Sequence, residues 1–171
     1  MNAIKYAALA LALLFISGLK AQTENPRIEN GLSWYTDLTI AQDTSAATGK
    51  PIFALFTGSD WCGWCKRLQK AVFAKQEFID WAKKNVVLLE LDFPRTKQLS
   101  PELKAQNEGL LRKFKVQGFP TVWIFYLNKD EKTNQIICTP LGSCGYPQNP
   151  EPGKEQVAFL KDANLILKNK K

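Results

Sequence analysis

Two cysteines, Cys62 and Cys65, stand two residues apart in the run Trp61-Cys62-Gly63-Trp64-Cys65-Lys66. Thiols at that spacing can exchange with a disulfide in another molecule, one attacking as a thiolate and the other resolving the mixed disulfide. A free cysteine, with a pKa of about 8.5, is mostly protonated at neutral pH, so the attacker needs help. The first turn of a helix offers unpaired N–H groups and the positive end of the dipole, and both favour the thiolate. Lys66, one helical turn past Cys62, adds a positive charge on that side. Cys62 is therefore expected to be the more exposed thiol, with Cys65 buried behind it. The rival reading is a plain stabilising disulfide. It is weaker, because closing a two-residue loop constrains the unfolded chain very little.

The chain contains no histidine. That excludes a Cys-His dyad, Ser-His-Asp hydrolysis and any His-ligated metal site. Covalent haem attachment is excluded too, because Lys66 stands where Cys-x-x-Cys-His needs its histidine. The other two cysteines, Cys138 and Cys144, flank the turn-like stretch Pro140-Leu141-Gly142. An even cysteine count permits two disulfides, and a local structural disulfide between these two is the leading expectation. A second redox-active pair is the alternative. A zinc site drawing on all four cysteines would consume the two at the helix start, so no metal is expected. The dithiol itself requires no cofactor.

The elements that must position this pair can be traced along the chain. A helix-compatible stretch runs from Thr36 to about Thr48, stopped by Gly49 and Pro51. Ile52 to Phe56 is a continuous apolar run, the mark of a strand buried on both faces. Thr57 to Asp60 breaks that strand, and Ser59 or Asp60 can cap the helix that follows. Leu68, Val72 and Phe73 form the buried side of that helix. A helical piece around residues 77–84 leads into a second buried strand, Val86 to Leu91. A polar and then helical region lies between Pro94 and Lys115, followed by a third strand, Pro120 to Phe125. An edge strand is expected at 135–139, then a Gly/Pro-rich loop through Pro152. A closing helix spans roughly 154–168, with Val157, Leu160, Ala163, Ile166 and Leu167 on one face. Alternating helices and buried strands predict one α/β domain, a central sheet with helices on both faces.

Residues 1–21 read as a signal peptide: Lys5 supplies the basic start, Ala7 to Ile16 the uncharged core, and Ala21 the small exit residue. Residues 22–33 are polar and read as a flexible lead-in, which leaves 34–171 for the folded domain. An exported, periplasmic protein is the expectation. Losing Lys5 and Lys20 with the leader lowers the formal charge from +7 to +5. The remaining lysines are scattered or sit at the tail, with no basic stripe interleaved with aromatics, so nucleic-acid binding has little support.

Trp-Cys-Gly-x-Cys-Lys after an apolar strand, followed by Gly118-Phe119-Pro120-Thr121 before another, resembles the thioredoxin superfamily. The stretch from Phe56 to Lys66 is similar to a secreted bacterial, disulfide isomerase-related branch of it. The resemblance spans about Trp34 to Leu167. It implies a thioredoxin-like single domain with a central mixed sheet. It also implies that Cys62 attacks and Cys65 resolves, that Pro120 is a cis-proline facing the disulfide, and that the Phe119 backbone pairs with an extended client peptide. Clients would be disulfide-containing proteins, and a membrane-bound thiol reductase would supply electrons.

The chain departs from that pattern twice. Thioredoxins keep a buried aspartate six positions before the first cysteine, where this chain has Phe56. Glu90, the only charge inside Val86–Leu91, is the candidate substitute proton acceptor under Cys65, unless it reaches solvent near the strand end. Trp64 stands where thioredoxins have proline. It either contacts clients from the surface, as an exposed aromatic beside a nucleophile can, or packs against the loop after Gly118. Trp34, Trp61 and Trp123 are expected in the core. The function that follows is reduction or isomerisation of protein disulfides. A client-binding, chaperone-like module with little turnover is the alternative.

Overall fold

A computed structural model describes residues 26–169. The signal-peptide assignment, residues 1–21, lies outside the described residues. Six strands form one mixed sheet in the order β1-β2-β4-β3-β5-β6. The strands are β1 (Arg27–Glu29), β2 (Leu32–Tyr35), β3 (Ile52–Thr57), β4 (Val87–Asp92), β5 (Thr121–Lys129) and β6 (Ile136–Gly145). The helices are α1 (Leu38–Thr48), α2 (Gly63–Leu68), α3 (Gln76–Asn85), α4 (Pro101–Lys113) and α5 (Glu155–Leu167), and a π-helical turn, Gln69–Phe73, continues α2. β2, β4 and β3 run parallel, whereas β1 and the β5–β6 hairpin pair antiparallel to their neighbours.

The continuous apolar run of β3 follows from its central place. Phe53 and Leu55 enter a core formed with Leu68, Val72, Phe78 and Phe159, under α2, α3 and α5. Ile52, Ala54 and Phe56 enter the opposite core with Ala41 of α1 and Leu110 of α4. A strand covered by helices on both sides has no polar face. The thioredoxin-like architecture with helices on both sheet faces is the one expected.

Three expectations need correction. The lead-in is not loose between residues 27 and 33, where β1 and β2 make a hairpin in which Glu29 faces Leu32. Its turn residues, Asn30 and Gly31, have φ of 51° and 71°. Asn-Gly is the pair that tolerates positive φ at both positions of a tight hairpin turn. The edge strand β6 runs six residues further than expected, to Gly145, and absorbs the turn-like Pro140-Leu141-Gly142. On α5 the buried residues are Gln156, Phe159, Ala163 and Ile166, while Val157 is exposed. The helix is rotated so that Phe159 meets Phe53, Phe73 and Phe78.

Candidate active site

β3 ends at Thr57 in the middle of the sheet, and the chain turns there into α2. Cys62 is the residue that caps α2, and its sulfur accepts a hydrogen bond from the Cys65 N–H at 3.1 Å. Cys62 and Cys65 are joined as a disulfide. Neither Ser59 nor Asp60 caps the helix, contrary to expectation, because both side chains are engaged by the opposite loop. Ser59 gives its hydroxyl to Asp92 at 2.6 Å and its amide to the same carboxylate at 2.8 Å. Asp60 accepts from the Thr96 hydroxyl and from the backbone N–H groups of Arg95 and Thr96. The Thr96 donors and the Arg95 amide hold the Asp60 carboxyl well below the ordinary carboxylate range.

The two cysteines are almost equally shielded, at 5% and 4% exposure, so the expected contrast between a more exposed Cys62 and a buried Cys65 is nearly absent. Trp61 is 39% exposed, and not a core residue as expected. Its indole lies over Gly58, donates to the Phe93 carbonyl at 2.8 Å, carries the Arg95 guanidinium 4.1 Å above its face, and meets Phe119 at 5.9 Å. Trp64 is 57% exposed and packs edge-on against Tyr146 at 5.1 Å. Trp34 is buried in the core, and Trp123 stacks on Phe114 at 4.9 Å.

These contacts bracket the Phe119–Pro120 segment, whose peptide bond is cis. Trp61, before Cys62, leans on Phe119. Trp64, before Cys65, leans on Tyr146, which follows Gly145, and Gly145 pairs with Thr121 next to Pro120. A Cβ at Gly145 would stand 3.2 Å from the Pro120 carbonyl, so the two strands meet closely there. Through Trp61–Phe119 and Trp64–Tyr146 the rings beside the two cysteines thus reach the residues on either side of the Pro120 loop.

Glu90 does not join them. Its carboxylate pairs with Arg27 of β1 at 2.5 Å, and Arg27 also pairs with Glu29. Burial pushes the Glu90 carboxyl up, while the Arg27 guanidinium partly opposes that. Glu90 therefore ties the hairpin to the sheet and does not reach Cys65; its side chain is 12% exposed, so the solvent alternative fails as well. The signal missed was Arg27, placed opposite Trp34 and so near β4 by the Asn30–Gly31 turn.

Cys138 and Cys144 are free thiols, correcting the expected structural disulfide. Both lie on β6, six residues apart, or roughly 17–20 Å along an extended strand, whereas a disulfide needs Cα atoms within about 7 Å. A register shift opposite Ile124/Phe125 leaves Leu141 as an extra residue, and one extra residue inverts which face each later side chain takes. Cys144 accordingly packs on the α2/α3/α5 side and Cys138 on the α1/α4 side. Burial raises both thiols, Cys144 to about 12 with Asp162 adding to the effect. Among the described residues no group of three or more His, Cys, Asp or Glu is placed to hold a metal ion.

A disulfide capping a helix at the end of a central strand, beside a cis-proline loop, defines a redox protein of thioredoxin type. The thioredoxin-like domain family matches residues 38–133. The disulfide bond reductase DsbH of Chlamydia pneumoniae is 35% identical over 130 residues, covering 76% of this chain and 77% of its own. The thioredoxin-related protein DsbJ of the same organism is 29% identical over 112 residues, 66% of this chain and 32% of its own. Among solved structures, a DsbH oxidoreductase superimposes with a TM-score of 0.64 at 26% identity, covering 86% of this chain and 96% of its own. The chain belongs to the thioredoxin superfamily, among its bacterial thiol–disulfide oxidoreductases.

Proposed function

We propose that this protein is an exported, periplasmic enzyme that reduces or isomerises disulfides in client proteins, with Cys62 as nucleophile and Cys65 as resolving thiol. The observation that carries the reading is the Cys65 N–H aimed at the Cys62 sulfur at 3.1 Å, a donor that stabilises a thiolate on Cys62 once the pair is reduced. The Cys62 thiolate attacks one sulfur of the client disulfide, and the other client sulfur leaves as a thiolate. The Cys65 thiolate then attacks Cys62, releasing the second client thiol and closing the Cys62–Cys65 bond. Two electrons have passed to the client. A partner dithiol must return them, and the superfamily resemblance implies a membrane-bound thiol reductase. Phe119 and Pro120 offer backbone to an extended client strand, and the exposed Trp64 ring offers apolar contact.

Turnover in an insulin-reduction assay, together with adducts trapped by Cys65→Ser and not by Cys62→Ser, supports this assignment. Client binding without turnover would instead make the protein a client-holding module. Adducts accumulating on Cys62→Ser would reverse the two roles.

A further inference from the structure

Beside the disulfide, α2 and the turn that continues it form one wall of a shallow groove of about 450 Å³. It begins at Gly63, between the two cysteines, and is lined by Lys66, Arg67, Lys70 and Lys75. Glu155, at the start of α5, is the single carboxylate in its lining. None of the four cations makes an ion pair among the described residues. Lys66 donates to the Asp60 carbonyl, and Lys75 has Glu77 as an acidic neighbour. The Arg67 guanidinium lies 5.4 Å from the Trp64 ring and 5.6 Å from the Tyr146 ring. An ordinary solvated helix face mixes both signs of charge. This one carries cations along its length and ends in two aromatic rings at the redox centre.

We infer that this groove is a docking site for an acidic segment of the client polypeptide, lying next to the client cysteine that Cys62 engages. The inference rests on the thiol-exchange reading and names the clients it selects. A client sulfur at Cys62 places its flanking residues over Trp64 and Arg67. Aspartate or glutamate a few residues further on then meets Lys70 and Lys75. Opposite charge at a concave site raises the encounter rate and fixes register, and its effect falls as salt rises.

The test uses three synthetic peptides with one intramolecular disulfide, flanked on one side by acidic, neutral or basic residues, and the pre-reduced protein. At low salt the acid-flanked peptide is reduced about tenfold faster, in the second-order rate constant of the single exchange, than the neutral one, a modest instance of electrostatic steering. The preference shrinks towards unity at about 1 M salt, where the screening length is only ~3 Å. The double variant Lys70→Glu/Lys75→Glu turns the preference towards the basic-flanked peptide, whereas Lys129→Glu/Lys132→Glu, at the far end of β5, keeps it. Equal rates for acidic and neutral peptides, or a preference that survives in the Lys70/Lys75 variant, would overturn the inference. Fluorescence anisotropy with cysteine-free versions of the peptides reads the groove without any exchange chemistry. Selective acidic binding there with no reduction of any disulfide would sustain the groove and reject the exchange reading. Non-selective peptide binding alongside retention on phosphatidylglycerol vesicles would reject the groove as a peptide site in favour of a membrane-facing surface.

Discussion

The indole of Trp61 lies where a side chain on residue 58 would stand: a Cβ on Gly58 would come within 2.4 Å of the ring. Gly58→Ala must therefore displace Trp61 from the Phe93 carbonyl, from Arg95 and from Phe119. A well-packed site forced to accept a methyl group costs about 1–3 kcal/mol. Thermal unfolding should show a lower Tm, and tryptophan emission should shift to the red. Unchanged emission and Tm would mean that the ring is free to move aside without loss.

Arg27→Ala tests the role assigned to Glu90. Burial raises the Glu90 carboxyl in the folded state above its unfolded value of about 4.3. A raised pKa contributes stability that is complete below the unfolded value and is lost as pH rises through the folded one. Removing Arg27 takes away the opposing attraction and raises the folded value further, so the loss on going to neutral pH becomes larger. Urea unfolding should show the variant destabilised by about 1–2 kcal/mol at pH 7, discounted for the partly exposed Arg27, and by less at pH 4. A gap that is the same at both pH values would contradict the pairing.

The oxidised protein should yield two thiols to a thiol reagent in denaturant, both from Cys138 and Cys144. In the folded state Cys144, raised to about 12, should resist alkylation at pH 8, because the thiolate is the reactive form. A Cys138→Ser/Cys144→Ser variant should keep its disulfide-exchange activity. Peptide mapping that finds a Cys138–Cys144 bond would overturn the strand register.

The redox poise follows from what stands around Cys62. Gly63 and Trp64 carry no charge and the chain has no histidine, so thiolate stabilisation is left to the Cys65 amide, the helix end and Lys66. A weakly stabilised thiolate makes a reductant, and equilibration with glutathione should give a potential between about −180 and −270 mV. A value near −120 mV would defeat that argument.

The buried strands, the helix after them and the dithiol were legible because each rests on local pattern: apolar runs, the breaks between them, and two cysteines at fixed spacing. What escaped depends on neighbours far along the chain. Glu90 looks like a candidate beneath Cys65 until the Asn30–Gly31 turn brings Arg27 alongside it. Cys138 and Cys144 look like partners until one bulged residue, Leu141, sends them to opposite faces. Ser59 and Asp60 look like caps until the loop at 92–96 claims both. In each case a turn, a bulge or a segment distant in sequence decided which partner the group met.

The outer rim of the sheet at β6 carries Pro140 in mid-strand, close to the bulge opposite Ile124/Phe125. Proline has no N–H to offer, and a bulge twists the ribbon locally. The ten-residue rim is thereby interrupted at mid-length and offers no unbroken row of donors to template a further strand. Edge-to-edge polymerisation along this flank, the hazard of any open sheet, is obstructed by the covalent structure of a single residue.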